Sequence, residues 1–183
     1  MIIALIGASG VGKTIIQNEL CDMTEFQRIV SYTTRTPRAK EVDGKDYHFI
    51  NNTTFMMMID EFAEFEEYSA NRFYGTLKSQ YNNTHDAVVV LTPHGVRQLK
   101  KNMPNIDLFV VYIEAPLKDR VIRYIKRCDD KLSYSDVTEL TERIHRDFGM
   151  FKGFEDEADL VINNPYGTSI SSIVSKIWKN SQK

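Results

Sequence analysis

The chain has 183 residues, 42% of them hydrophobic and 26% charged, with a net charge of −2. That length and apolar content predict one domain with a real core. The charge balance argues against bulk nucleic-acid binding, which needs a basic face, and no run approaches the roughly 18 apolar residues of a membrane span. The N-terminus lacks the basic leader of a signal peptide, so a cytoplasmic location is expected. Cys21 and Cys128 are expected as free thiols, and no Cys/His metal spacing is present. Composition leaves monomer and homodimer equally open.

The first predicted element is a buried strand over Ile2–Ile6, continuous and rich in β-branched residues. It runs into Gly7-Ala8-Ser9-Gly10-Val11-Gly12-Lys13-Thr14, a G-x-x-x-x-G-K-T run set between strand and helix. Glycines there let successive backbone N–H groups turn inward on a polyphosphate, and the following helix adds its positive N-terminal end. Lys13 is positioned to reach β- and γ-phosphates, and the Thr14 hydroxyl to ligate Mg²⁺. The run implies a nucleoside triphosphate site.

That helix is expected from Lys13 to about Met23, followed by a strand at Ile29–Tyr32. From about Thr33 to Tyr81 the pattern turns irregular, with a turn at Asp43-Gly44, a short strand Tyr47–Ile50, a helix from about Thr53 and a strand Phe62–Tyr68. This stretch reads as a small inserted α+β lobe, with Met56-Met57-Met58 filling its core. Strands then recur at Ala87–Leu91, Leu108–Ile113 and Leu160–Ile162. Helices are predicted at Gly95–Asn102, Leu117–Arg127, Val137 to about Phe151, and Ser169–Trp178. Strand–helix alternation predicts a three-layer α/β fold with a parallel sheet, which binds ligands beyond the carboxyl ends of its strands. The polar stretch Cys128–Asp136 reads as the tip of a mobile lid, although loop composition alone does not separate that from an ordinary surface loop.

A second constellation is Ser31-Tyr32-Thr33-Thr34-Arg35-Thr36-Pro37-Arg38, followed by Glu41-Val42-Asp43-Gly44-Lys45-Asp46-Tyr47-His48-Phe49. Arg35 and Arg38, three apart and stiffened by Pro37, suit a second phosphate because guanidinium forks match its oxygens. The Tyr47 hydroxyl can complete such a site. In isolation this is equally a solvated basic loop; beside a phosphate loop the two-phosphate reading wins.

On these residues the chain closely resembles the guanylate kinase family. S-x-T-T-R-x-P-R-x-x-E-x-x-G-x-D-Y-x-F is similar to that family's acceptor signature, and Phe62-Ala63-Glu64 and Tyr74-Gly75-Thr76 to its next two markers. The resemblance runs from the phosphate loop to Val161-Ile162-Asn163-Asn164 and is strongest over residues 2–76. It implies one domain: a core of 1–32, 82–123 and 151–183, an acceptor-binding lobe of 33–81, and a helical lid of 124–150. It also implies transfer of the γ-phosphoryl group of ATP to GMP, and to dGMP, with Mg²⁺ on Thr14.

By the same resemblance, Gly7 to Thr14, Arg123 and one of Asn163 and Asn164, Asn163 in the first place, hold ATP. Lys13, Arg127 and Arg143 carry catalysis. Arg35, Arg38, Tyr47 and Tyr74 hold the phosphate of GMP, while Ser31, Glu64 and Thr76 read its base. A carboxylate accepts from both N1–H and the exocyclic amine of guanine, whereas adenine has no N1–H to offer. Alternation with Phe62 and Phe65 does not settle which face Glu64 takes. A related kinase of another phosphorylated acceptor, or a non-catalytic binding module, are the alternative functions.

Three features depart from the family pattern. Its strand-end pair of aspartates, L-D-x-D, is here Val89-Val90-Leu91-Thr92, without the acids at Val90 or Thr92. The run from Phe65 to Phe73 is one residue longer than usual, and the Arg127–Arg143 separation about five longer. Restoring a carboxylate by Thr92→Asp is therefore expected to tighten GMP.

Overall fold

The computed structural model describes residues 1–38, 41–82, 86–128 and 132–182. In chain order the elements are β1 (Ile2–Ile6), α1 (Lys13–Met23), β2 (Gln27–Arg28), β3 (Tyr32–Thr33), β4 (His48–Phe49), α2 (Asn52–Met57), β5 (Phe62–Ser69) and β6 (Arg72–Leu77). There follow α3 (Lys78–Asn82), β7 (Ala87–Val90), α4 (Pro93–Asn102), β8 (Leu108–Glu114), α5 (Leu117–Arg127), α6 (Tyr134–Met150), β9 (Leu160–Asn163) and α7 (Ile170–Ser181). Five strands form a parallel sheet of order β2-β7-β1-β8-β9, and four form a second sheet of order β4-β3-β6-β5. The mixed α/β class with a parallel sheet is the one expected.

β1 is buried along all five residues, as a strand covered on both faces must be. α1 begins where predicted because Gly12 turns the chain at φ 101°, a left-handed conformation that favours glycine. Two compact units make up the chain, one of Met1–Ala4 with Glu25–Leu108, the other of Leu5–Thr24 with Phe109–Lys183.

In the first unit, the second sheet has an apolar and a polar face. Phe55, Phe62 and Leu77 form a core on the apolar face, packed by Tyr32, Ile50, Met58, Phe65 and Phe73. Phe55 and Phe62 stack at 4.4 Å between ring centroids. β5 lies at the edge of this sheet. α4 serves that edge with side chains: the Gln98 carbonyl accepts from Phe65 N–H at 2.8 Å, and the Asn102 amide donates to Ala63 O at 2.8 Å. Backbone groups left open at a sheet edge need such partners.

The structure corrects several expectations. Ile29–Tyr32 is not one strand: β2 joins the parallel sheet and β3 the second sheet, and the chain changes sheets between them. Ile29 remains buried, so an apolar residue at the crossing looked like strand interior. β4 is shorter than Tyr47–Ile50, while β6 and α3 were not foreseen. β6 reads Arg-Phe-Tyr-Gly-Thr-Leu, with a glycine at its centre that masked the strand.

α4 starts at Pro93 because Thr92 caps it, its hydroxyl accepting from Gly95 N–H at 3.0 Å. α6 starts at Tyr134 rather than Val137, set by a capping box between Ser133 and Asp136. Of the stretch 128–136 read as a lid tip, residues 129–131 lie outside the described residues, and 134–136 are helical. Met56 and Met57 do not fill the core: they are exposed, Met57 to 82%, and only Met58 packs inward. Cys21 and Cys128 are thiols that form no disulfide.

Candidate nucleotide sites

In the second unit the phosphate loop joins β1 to α1. Gly7 has no room for a side chain, since a Cβ would stand 2.2 Å from the Ile113 carbonyl oxygen. The Lys13 ammonium donates to the carbonyls of Gly7 at 2.5 Å and Ala8 at 3.1 Å. Burial pushes its pKa down to about 8; Asp147 opposes that shift, and Arg120 and Arg143 add to it. Thr14 is exposed in the first turn of α1.

Asp147, 3% exposed on α6, accepts the Ser9 N–H at 2.7 Å and Arg120 Nη2 at 2.6 Å. Arg120 also donates through Nε to Ser9 O at 2.8 Å. Arg123 donates to Gly10 O at 3.1 Å and Asn164 O at 2.9 Å. Asn164, 1% exposed, donates to Val11 O at 2.8 Å, whereas Asn163 ends β9 with an exposed side chain. Arg143 pairs with Glu139 one turn earlier, its Nε at 2.9 Å. Arg127 is exposed, its guanidinium 4.9 Å from the centre of the Tyr124 ring. Of the predicted arginines, Arg123 touches the loop, Arg143 lies close enough to act on Lys13, and Arg127 rests on its own helix.

In the first unit the polar face of the second sheet gathers the predicted acceptor residues. β5 and β6 run antiparallel with Glu64 opposite Thr76 and Glu66 opposite Tyr74, so all four share one face. The Ser31 and Thr76 hydroxyls are 2.8 Å apart. Glu64 is 6% exposed, which settles its face: it is not a surface acid. Burial pushes its carboxyl up to about 8; hydrogen bonds from Thr76 restrain that rise, and the charge of Glu66 adds to it.

Arg35, 8% exposed, donates Nε to the Tyr74 hydroxyl at 3.1 Å and both fork nitrogens to Glu41, at 2.7 and 2.8 Å. Its guanidinium lies 5.4 Å from the centre of the Tyr47 ring. Burial pushes the Tyr47 hydroxyl up to about 12. Arg38 is more exposed and reaches Glu41 at 3.3 Å.

A family model described as guanylate kinase matches residues 1–180. The chain belongs to the guanylate kinase family.

A guanylate kinase of Syntrophus aciditrophicus is 34% identical over 162 residues, 84% of this chain and 75% of that protein. One from Buchnera aphidicola is 32% identical over 175 residues, 90% and 81% of the two chains. The fold is similar to the crystal structure of guanylate kinase from Anaplasma phagocytophilum, with a TM-score of 0.68 at 19% identity, covering 98% of this chain and 82% of that one. As a guanylate kinase family member the chain is an ATP-dependent nucleoside monophosphate kinase. GMP phosphorylation by ATP is the family activity, and its nucleotide substrates are ATP and GMP. Among the described residues no helix is long and apolar enough to cross a membrane.

Two departures from the guanylate kinase pattern have a structural account. The extra residue of β5 is absorbed where the pairing register shifts between Glu67 and Ser69, beyond the Glu64–Glu66 segment. At the strand end, Thr92 donates to the Glu66 carboxylate at 2.5 Å while capping α4. An aspartate there would set a like charge against Glu66, which opposes the gain expected from Thr92→Asp. Glu41, Arg120 and Asp147 were not singled out from sequence. Glu41 sits in the acceptor signature itself, but an acid three residues after Arg38 gave no sign that it pairs with Arg35.

Proposed function

We propose that GMP is held on the polar face of the second sheet and ATP on the phosphate loop, with the γ-phosphoryl group passing from ATP to GMP and also to dGMP. In this reading 33–81 is the acceptor lobe and 124–150 the lid. The observation that carries it is Glu64, a buried carboxylate beside the paired Ser31 and Thr76 hydroxyls. Carboxylate and hydroxyls together complement the N1–H, amine and O6 of guanine. A buried carboxylate lacking its donors costs more than one lost hydrogen bond, which is the basis for rejecting adenine. Arg35, locked by Glu41 and Tyr74, and Arg38 take the acceptor phosphate, with Tyr47 beside them.

The acceptor phosphate is already an anionic nucleophile, so the protein's task is alignment and charge neutralisation. Lys13, Arg123, Arg127 and Arg143 supply cations toward the donor, and Asn163 or Asn164 its adenine contact. Mg²⁺ fits the donor set through the Thr14 hydroxyl, exposed at the first turn of α1, because this ion accepts one protein oxygen with phosphate and water oxygens. Among the described residues no group of three or more His, Cys, Asp or Glu side chains offers another metal site. When bound, Mg²⁺ neutralises charge on the donor phosphates. The reading places the enzyme in the cytoplasm, as monomer or homodimer, acting on small nucleotides without nucleic-acid or membrane partners.

An ADP-release assay across AMP, CMP, UMP, GMP and dGMP, with and without Mg²⁺, tests it. GMP and dGMP are expected to turn over with Mg²⁺ and the others poorly. Inert GMP beside a reactive alternative overturns the acceptor assignment.

A further inference from the structure

The polar face of the second sheet carries one carboxylate more than the acceptor reading uses. Glu66 stands two residues beyond Glu64 in a stretch of β5 where the pairing register is unbroken, so both side chains take the same face. The hydroxyl of Thr92 donates to Glu66 Oε2 and accepts from Gly95 N–H. A hydroxyl has a single proton, so this pattern leaves Glu66 as the acceptor and fixes its direction. A Cβ on Gly95 would stand 3.1 Å from Glu64 Oε2 and 3.4 Å from Thr92 Oγ1, so the same turn of α4 backs both Glu64 and Thr92. Glu64, Thr92 and Glu66 thus form a contiguous row at the start of α4, with a carboxylate at each end.

A row of acceptors suits a ligand edge with donors on adjacent atoms. Guanine has such an edge: one hydrogen on N1 and two on the exocyclic 2-amino group. Glu64 can accept from N1–H and one amino hydrogen, which leaves the second amino hydrogen to be satisfied. We propose that Glu66, aimed by Thr92, accepts this second amino hydrogen and makes the pocket discriminate GMP from monophosphates that lack the 2-amine. The assignment deepens the proposed function and rests on GMP being the acceptor. Two carboxylates that repel each other also gain from a donor-rich edge placed between them, since that edge offsets the repulsion.

The competing explanation is structural: Glu66 would merely complement the positive N-terminus of α4. Steady-state kinetics with GMP and IMP separate the two. IMP keeps N1–H and O6 and lacks only the amine. With Glu66→Ala, kcat/KM for GMP is expected to fall roughly 10- to 100-fold, the range for a lost hydrogen bond to a charged group, while IMP changes much less. Glu66→Gln, which keeps size and a hydrogen-bond acceptor for Thr92, is expected to move the ratio the same way by less. Thr92→Val should reproduce part of the loss and Thr92→Ser restore it, with thermal unfolding recorded for every variant. Parallel losses for GMP and IMP, or an unchanged ratio, overturn the role of Glu66 and leave the acceptor reading standing. GMP that is inert in the unmodified protein overturns the acceptor reading and this inference with it.

Discussion

The phosphate loop and the polar face of the second sheet bind by opposite means. The loop is one contiguous stretch, Gly7 to Thr14, that presents backbone N–H groups and is braced by Asp147, Arg123 and Asn164. The polar face draws its side chains from residues scattered between Ser31 and Thr76, brought together by strand pairing. A backbone cradle recognises any polyphosphate and tolerates most side chains, whereas a buried carboxylate recognises one edge of one base. Damage to the first should act through charge and support, and damage to the second through selectivity.

The largest expected effect is on the support of the loop. Asp147→Ala removes the acceptor of Ser9 N–H and leaves Arg120 without its buried partner, and breaking such a pair costs about 3–5 kcal/mol. Urea unfolding should show that loss, and Asp147→Asn, which keeps an acceptor for Ser9, a smaller one. An unchanged midpoint for Asp147→Ala would mean the brace carries no stability.

Next is Lys13→Ala. Removing one preorganised charge should lower turnover by roughly 10²–10³-fold, with GMP affinity by calorimetry nearly unchanged. Loss of GMP binding as well would erase the distinction between the two regions. Glu64→Gln should do the reverse: GMP efficiency falls by about 2 kcal/mol, AMP does not fall with it, and ATP affinity is kept.

The raised carboxyl of Glu64 gives a pH test. Its ordinary value of 4.5 becomes about 8 in the folded chain. Between those values the folded state holds a proton that the unfolded state has released. The contribution of this group to stability is therefore full below pH 4.5 and is lost as pH rises toward 8, by up to about 1.4 kcal/mol per pH unit. Glu64→Gln should flatten that slope in thermal unfolding. Guanine needs the ionised carboxylate, so GMP affinity should rise with pH up to about 8. Calorimetry in buffers of different ionisation enthalpy should then show proton release on GMP binding near pH 7, and uptake would contradict the assignment.

The smallest effect is expected from Thr92→Asp. Aspartate caps a helix well, so α4 should be retained. GMP affinity should weaken by about 1 kcal/mol as the donor to Glu66 is lost, and tighter GMP would show that Glu66 is not poised toward the ligand.

Legibility follows the same division. Ile2–Thr14 could be read residue by residue because strand, loop and helix start are local, and β1 and α1 have the bounds expected. The helices with strong apolar periodicity were located, and the starts that were missed, after Thr92 and Ser133, are ones that a cap decides. The second sheet was half seen. β3 and β4 have two residues each and β6 carries a central glycine, so their identity comes from tertiary pairing rather than local preference. The pairing of Arg35 with Glu41, and of Arg120 with Asp147, joins residues whose spacing gives no periodic signal.

Where β5 takes up its extra residue has a practical consequence. Because the register is unbroken from Glu64 to Glu67 and shifts on the tip side only beyond Glu67, the hairpin tip, with Asn71 at φ 59°, can change length without turning Glu64 or Glu66 to the other face. Chain length at that tip is uncoupled from the chemistry of the pocket. The tip is thus a natural port for a fluorophore or a short inserted tag that would report on acceptor binding while leaving the pocket intact.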